Sequence, residues 1–555
     1  MTSHRWGFLA RRGRGARVAG SACAVALLGL TALAAGACDG FTGTTSSAAG
    51  GASGSSSSES TLSAMTTVSS TSTVSSTDAS SSSGMPDPCD VTEGALIPES
   101  CGVFVAPGAT GVGTQSSPFG SIATALAVAT PAGKPVYVCS GQFDETIQLV
   151  EGTSLFGGID CTSGYRWVGK PTAADRTLVS PASGVPLVVT PDPMASTVAR
   201  VFGFTFHAPP GVAASDSSIA AIVEGAPTRF EQSRFEASAA KDGTDAVQNA
   251  APPVAGGAGN AGHATLNGTC SPAETTFFLG GAAKSNPSCP SSIGGEGGQG
   301  GTGLGSDGLP GSNGAPLDAM HPALGIGGSG QACGMICPPC KPGAQGVPGG
   351  DGGDGSAGAG AGSIVGTTYV GVNGGAGDPG GIGGGGGGGG GAHSVDGCRA
   401  DSGGSGGAGG CGGAGGAGGT FGGSSIALVV VGTANVTFVG CTAASAQAGR
   451  GGDGAPGIAG APGGAGGNGG NHLIAGAFAT DACAGGQGGA GGDGGNGGGG
   501  SGGHSVGLVS VNTMCDATGL SFDPVSPSFA GAAGVGAGIN NDGTPGQAVE
   551  TLSLP

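Results

Sequence analysis

Apolar positions along the chain follow two different periods. Between Cys101 and Trp167 they come in runs of three or four, broken by glycine or acidic turns: Val103-Phe104-Val105, Val136-Tyr137-Val138-Cys139, then 146–149 and 154–156. Runs of that length, rich in β-branched and aromatic residues, predict short β-strands. One stretch, 121–129 (SIATALAVA), spaces its apolar residues for an amphipathic helix. No helices separate the later strands, which predicts a coil of stacked turns rather than strand-helix-strand units. An internal repeat points the same way: 217–238 (SSIAAIVEGAPTRFEQSRFEAS) aligns without a gap to 424–445 (SSIALVVVGTANVTFVGCTAAS), and a weaker copy, SVGLVSV, begins at Ser505. Such turns bury their apolar faces only by stacking on neighbours, so whatever separates the copies leaves the stack and returns to it.

The second period is three. Glycine recurs at 403, 406, 409, 412, 415 and 418, again from 451 to 469, and again from 485 to 497, always three residues apart. Three residues per turn is the period of the extended left-handed helix, with a rise of about 3.1 Å per residue. Every third residue then falls on one line, and a line without side chains lets neighbouring backbones approach and exchange hydrogen bonds. Collagen demands abundant proline at the same period, whereas most of these tracts read GGx. They resemble the polyglycine II bundles of some glycine-rich antifreeze proteins and the glycine-rich surface domains called PGRS. Disordered loops are the alternative, because ordering each residue costs about 1–2 kcal/mol in backbone entropy. Cys398, Cys411 and Cys483 stand within or beside the tracts, placed to lower that cost by cross-linking.

The first residues change the picture by assigning a compartment. Arg5, Arg11, Arg12, Arg14 and Arg17 precede an apolar run, 18–35, and then Ala35-Gly36-Ala37-Cys38. This is the pattern of a signal peptide over 1–37. Its end resembles the bacterial lipobox, which implies a mature chain that starts at lipidated Cys38 and is membrane-anchored at the cell envelope or surface; ordinary secretory cleavage is the alternative. The leader carries five basic residues and no acidic ones, so its removal takes the net charge from −18 to −23. That charge argues against nucleic acid as a partner. Residues 38–88 are rich in Ser and Thr, with few large apolar residues, and predict a disordered tether. Of 16 cysteines, Cys23 leaves with the leader and Cys38 takes lipid, so 14 remain in a compartment that permits disulfides.

The globular stretch resembles the N-terminal cap and first rungs of right-handed parallel β-helix proteins of the pectate-lyase-like superfamily. The likeness lies in Val103-Phe104-Val105-Ala106-Pro107, Pro118-Phe119 with Ile122 and Ala125-Leu126, Val136-Tyr137-Val138, Gly141, Phe143 and Glu145, and Ser154-Leu155-Phe156-Gly157-Gly158. It implies an all-β fold, a right-handed parallel β-helix with long glycine-rich insertions packed as polyglycine II bundles. It also implies a disulfide between Cys139 and Cys161, whose separation of 22 is close to one turn in that family. The chain then divides into leader 1–37, tether 38–88, cap and rungs 89–250, a glycine-rich cysteine-containing excursion 251–423, a rung 424–446, a second excursion 447–503, and C-terminal rungs with a tail 504–555.

Candidate chemistry alters this little. Enzymes of that superfamily use clustered aspartates with calcium and an Arg or Lys base. The nearest set here is Arg229, Glu231, Arg234 and Glu236, which strand alternation turns outward as an ion-pair ladder. Sugar sites also use aromatic platforms, and the mature chain keeps Trp167, Tyr137, Tyr165 and Tyr369 alone as Trp or Tyr. Cys333, Cys337 and Cys340 reproduce an iron–sulfur spacing, but an exported chain favours disulfides, with zinc as the lesser alternative. Asp351, Asp354 and Asp493, in Asp-Gly pairs, lack the alternation of calcium-binding nonapeptides and read as solvated turn residues, with weak surface Ca²⁺ binding as the lesser alternative. His207, His263, His321, His393, His472 and His504 stand apart, with neither metal spacing nor a Ser or Asp partner identifiable from the sequence. We therefore expect no catalytic residue, metal or cofactor. The expected function is that of a lipid-anchored, exported structural, adhesive or surface-recognition protein. Its partners are a membrane, through the lipid, and an extracellular polysaccharide or surface ligand. A polysaccharide lyase or hydrolase of the same fold is one alternative, and an ice- or surface-binding protein acting through glycine-rich faces is another.

Overall fold

The computed structural model describes residues 89–167, 175–195, 197–264, 279–394, 399–432, 434–471 and 481–555. The leader, Cys38, the tether, Cys398 and His472 lie outside the described residues. Three parallel sheets account for most of the strands, and the chain visits them in rotation. Val136–Cys139 lies in the first sheet, Gly141–Phe143 in the second and Ile147–Val150 in the third; Ser154–Asp160 then returns to the first. Later circuits repeat the course through Thr177–Val179, Leu187–Thr190 and Ala199–Phe202, and through Phe204–His207, Ser218–Glu224 and Thr228–Glu231. The fold is all-β with parallel sheets. Two of the expected strands are longer or shifted, and Gly141–Phe143 is an additional one.

Alternation explains the core. In the second sheet and the later strands of the first, burial alternates, and the inward phenylalanines stack from strand to strand: Phe206 on Phe235 at 5.8 Å and Phe230 on Phe438 at 6.0 Å, with Phe230 edge-on to Phe235 at 5.0 Å; the early strands of the first sheet are buried on both faces. The third sheet is different. Ser218–Glu224, Ser425–Val431 and Ser505–Val511 are buried at nearly every position, which is why their sequences run apolar without alternation. Their outer face is covered by Tyr369 and Phe421 from the glycine-rich regions.

The helix Ile122–Ala129 closes the first circuit with Ile122, Ala125, Leu126 and Ala129 buried. Ser121 Oγ accepts from the Thr124 N–H, and the Glu145 carboxylate accepts from Ser121 Oγ and from the N–H of Ile122 at 2.6 Å. Both satisfy helix-end donors, and the acid sits where the dipole favours it.

The repeat copies are neighbours in space. Ser218 faces Ser425, which faces Ser505, and Ile219, Ile426 and Val506 follow in register. The gapless alignment is corrected at its second half: Phe230 faces Phe438 and Phe235 faces Ala443. One extra residue in the turn after Val431 restores aromatic stacking that a gapless register would break. Cys139 and Cys161 are disulfide-bonded, with Cα atoms 5.6 Å apart. The register partner of Cys139 is Ile159, however, so the first circuit is shorter than the 22 residues between the cysteines.

The glycine-rich segments leave the sheets and run beside one another, each bonding to a given neighbour at every third residue. Residues 404, 407, 410, 413, 416 and 419 donate to the carbonyls of 483, 486, 489, 492, 495 and 498, which makes that pair parallel. Residues 449, 452, 455, 458, 461, 464 and 467 donate to 423, 420, 417, 414, 411, 408 and 405, an antiparallel pair. Consecutive residues serve different neighbours: Gly386, Gly387 and Gly388 donate to Gly407, Ala344 and Ser312. This ladder begins by Ala240 and takes in 531–546, beyond the excursion limits of 251 and 503.

His504 stands where a glycine segment turns into Ser505–Val511. Its Nδ1 accepts from the Gln547 N–H at 2.9 Å, so Nε2 carries the proton and donates to the Ala361 carbonyl at 3.1 Å. Burial pushes its pKa below the usual histidine value, with the Ala361 carbonyl opposing. The folded chain thus favours the neutral ring, and the unfolded chain takes up the proton first as pH falls. The stability contribution of His504 is present above about pH 6.5 and is lost as pH drops below it. Thermal unfolding between pH 8 and 5 checks this: the wild type should lose more than His504→Gln, and parallel curves would show the ring to be irrelevant.

Candidate functional site

The ion-pair ladder forms on the outer faces of the first and second sheets. Arg200 and Arg229 are register partners on adjacent strands, and such like charges need an acid between them. Glu231 provides it, accepting from Arg200 Nη2 at 3.1 Å and from Arg229 Nε at 2.9 Å. Arg200 also reaches Asp90 at 3.0 Å and lies over the Phe156 ring. On the second sheet Arg234 Nε pairs with Glu236 and its Nη2 with Asp523 at 2.6 Å, across 289 residues of sequence. Glu236 is held below the usual carboxylate range: burial, the largest influence, raises it, but hydrogen bonds from Arg234 and His207 outweigh that.

Between the two sheets the chain turns a corner through Gly203, whose φ of 75° suits glycine, then Gln232 one circuit on and Gly440 beyond it. Arg176 lies at the foot of this corner. Its Nε is buried without a hydrogen-bond partner, and burial, followed by the charge of Arg234, lowers its pKa. Four of the chain's arginines therefore gather on one edge of an acidic protein.

His207 does not stand apart. It is the register partner of Glu236, its Nδ1 lies 3.1 Å from Glu236 Oε2, and its Nε2 lies 3.3 Å from Ser238 Oγ. The signal that joins them is sheet register between strands 29 residues apart, which strand prediction alone does not supply. The other described histidines are dispersed: His321 on Asp318 at 2.7 Å, His393 on Asp307 at 3.0 Å, His263 in a glycine segment and His504 at the junction above.

The cysteine spacing does not converge on one centre. Cys333 bonds to Cys337, and Cys340 bonds to Cys483 in another segment. Cys411 bonds to Cys289. Among the described residues, no three His, Cys, Asp or Glu gather as metal ligands. The Asp-Gly aspartates are bound rather than merely solvated. Asp351 Oδ1 accepts from the N–H of Asp493 at 2.9 Å, Asp493 Oδ1 from Gly460 at 2.8 Å, and Asp354 Oδ1 from Asn496 at 2.7 Å. Each closes a backbone donor at the rim of the bundle, where the next glycine segment is missing.

No protein family, characterised protein or solved structure matches the chain.

Proposed function

We propose that this is an exported, lipid-anchored surface scaffold: a right-handed parallel β-helix whose glycine-rich excursions pack as a polyglycine II bundle. Its role is structural, adhesive or recognitional, with the membrane as one partner through Cys38. An extracellular polysaccharide or other surface ligand is the partner of the outward polar face. The observation that carries the reading is the three-residue hydrogen-bond ladder. Segments whose N–H groups are satisfied in three directions by fixed neighbours have little freedom left, and the bundle is joined to the sheets by continuous strands.

That role requires no catalytic step. Glu231 is shared by Arg200 and Arg229, and Glu236 by Arg234 and His207, as befits an outward ladder. Amide hydrogen exchange on the mature chain tests the scaffold: residues 403–420 and 485–497 should be protected to the same degree as Ser425–Val431. Exchange at random-coil rates would reduce the tracts to loops and remove the scaffold. Mass spectrometry of the mature N-terminal peptide tests the anchor, which requires lipid on Cys38.

A further inference from the structure

Beyond that scaffold role, we propose that Ser238, His207 and Glu236 form an acyl-transfer centre that hydrolyses esters of short acyl groups. The three side chains make a relay: His207 and Glu236 lie on adjacent strands of the second sheet, and Ser238 follows two residues after the end of the Glu236 strand. Glu236 Oε2 faces His207 Nδ1 at 3.1 Å, and His207 Nε2 faces Ser238 Oγ at 3.3 Å. Nucleophile, base and orienting acid in hydrogen-bond reach of one another is the arrangement that activates a serine hydroxyl. Glu236 cannot swing away, because Arg234 holds its other oxygen and Asp523 in turn holds Arg234. The carboxylate thereby fixes the tautomer with the proton on Nδ1, leaving the Nε2 lone pair directed at the serine.

Access is provided from the His207 side. The His207 side chain is 41 % exposed. Ser238 does not line a cleft itself but adjoins the wall of one: its N–H donates to Ser218 Oγ at 2.9 Å and its hydroxyl to the Ala208 carbonyl at 2.7 Å. Ser218 and Pro209, the residue after Ala208, line a cleft of about 260 Å³ together with Gly184, Gly211 and Thr368. That is below the roughly 300–1,000 Å³ of pockets that enclose drug-sized ligands, so the acyl group it accepts is short.

The chemistry balances with water as the co-reactant. The serine hydroxyl turns from the Ala208 carbonyl to Nε2. Oγ then bonds to the ester carbonyl carbon while Nε2 takes its proton. Collapse of the tetrahedral intermediate breaks the carbon–alkoxy bond, and the departing alcohol takes the proton from Nε2. Water then attacks the acyl-serine carbonyl while Nε2 takes its proton; collapse breaks the carbonyl carbon–Oγ bond, Nε2 returns the proton to Oγ, and the carboxylic acid leaves. Ser238 and His207 are the catalytic residues, and Glu236 is a positioning residue.

The test uses the mature chain with p-nitrophenyl acetate and, separately, a fluorophosphonate that labels nucleophilic serines, followed by peptide mapping. The expected results are a label on Ser238 and a hydrolysis rate that falls at least about 100-fold in Ser238→Ala and in His207→Gln. Glu236→Gln should lower kcat with KM unchanged, and Glu236→Asp should recover part of the loss. A wild type that neither turns over the ester nor takes the label overturns the proposal, as does Ser238→Ala retaining the wild-type rate. Should Ser238→Ala fold poorly, as thermal unfolding would show, the labelling of wild-type Ser238 decides alone. Failure here leaves the scaffold reading to its own exchange experiment.

Discussion

Gly488→Ala should destabilise the glycine bundle by about 3 kcal/mol, whereas Gln487→Ala, one residue away, should change stability by no more than about 0.5 kcal/mol. Gly488 donates its N–H to the Gly464 carbonyl at 2.8 Å. A Cβ at this position would fall well inside contact distance of the Ala408 carbonyl oxygen on another segment. The residues three before and three after behave alike: a Cβ on Gly485 would meet the Ser405 carbonyl and one on Gly491 the Cys411 carbonyl. Retreat is blocked, since the neighbouring Gly489 is bonded on another side to Gly384. A single methyl group must therefore push two backbones apart or break the ladder. Gln487 is exposed and loses only solvent contacts. Denaturant unfolding of both variants, with exchange across 485–497, checks the contrast. A Gly488→Ala chain within 1 kcal/mol of wild type would mean that the packing is looser than this geometry requires.

The same geometry explains why the tracts differ in composition. Residues 383–391 are glycine throughout and buried throughout, because each of three successive positions faces a neighbouring segment. Residues 485–497 face the interior on two lines and solvent on the third, and they read GGx with Gln487, Ala490, Asp493 and Asn496 on the outward line. Residues 451–469 keep one strict glycine line, on which a Cβ at Gly457 would meet the Gly494 carbonyl.

That part of the structure was legible in sequence because it is written locally, as phase. The strands Val103–Val105 and Val136–Cys139 and the helix were legible for the same reason: period and turn residues lie within a few positions of one another. Partners across insertions were not. His207 meets Glu236 and Ser238, and Arg234 meets Asp523, only once register is set through strands separated by long excursions. A gapless reading of the repeat misplaces Phe438 by one residue, and a slip of one residue turns an inward side chain outward. The rim aspartates were read as turn residues because the missing neighbour that their carboxylates replace has no sequence signature.

The cysteines of the glycine tracts show what holds such segments in place. Double substitution of Cys289 and Cys411 by serine should lower stability by up to about 5 kcal/mol, and the pair Cys340 and Cys483 should behave alike. A glycine segment buries no large side chain, while each residue it orders costs about 1–2 kcal/mol of backbone entropy. Hydrogen bonds to neighbours offset part of that, and a cross-link offsets more by restricting the unfolded chain. The restriction grows with the loop closed: these two bonds span 122 and 143 residues, against 4 for Cys333 and Cys337, for which the same reasoning gives about 2 kcal/mol. Cys411 sits inside the segment that donates to three neighbours, and its own N–H bonds to the Val254 carbonyl at 3.2 Å. Fixing this residue therefore fixes the register of several ladders together. Denaturant unfolding of the double-serine chains measures the effect. A ranking in which Cys333 and Cys337 matter as much as the long-range pairs would show that the bonds act through native contacts. Losses below about 0.5 kcal/mol for the long-range pairs would show that the hydrogen-bond ladder holds the bundle without them.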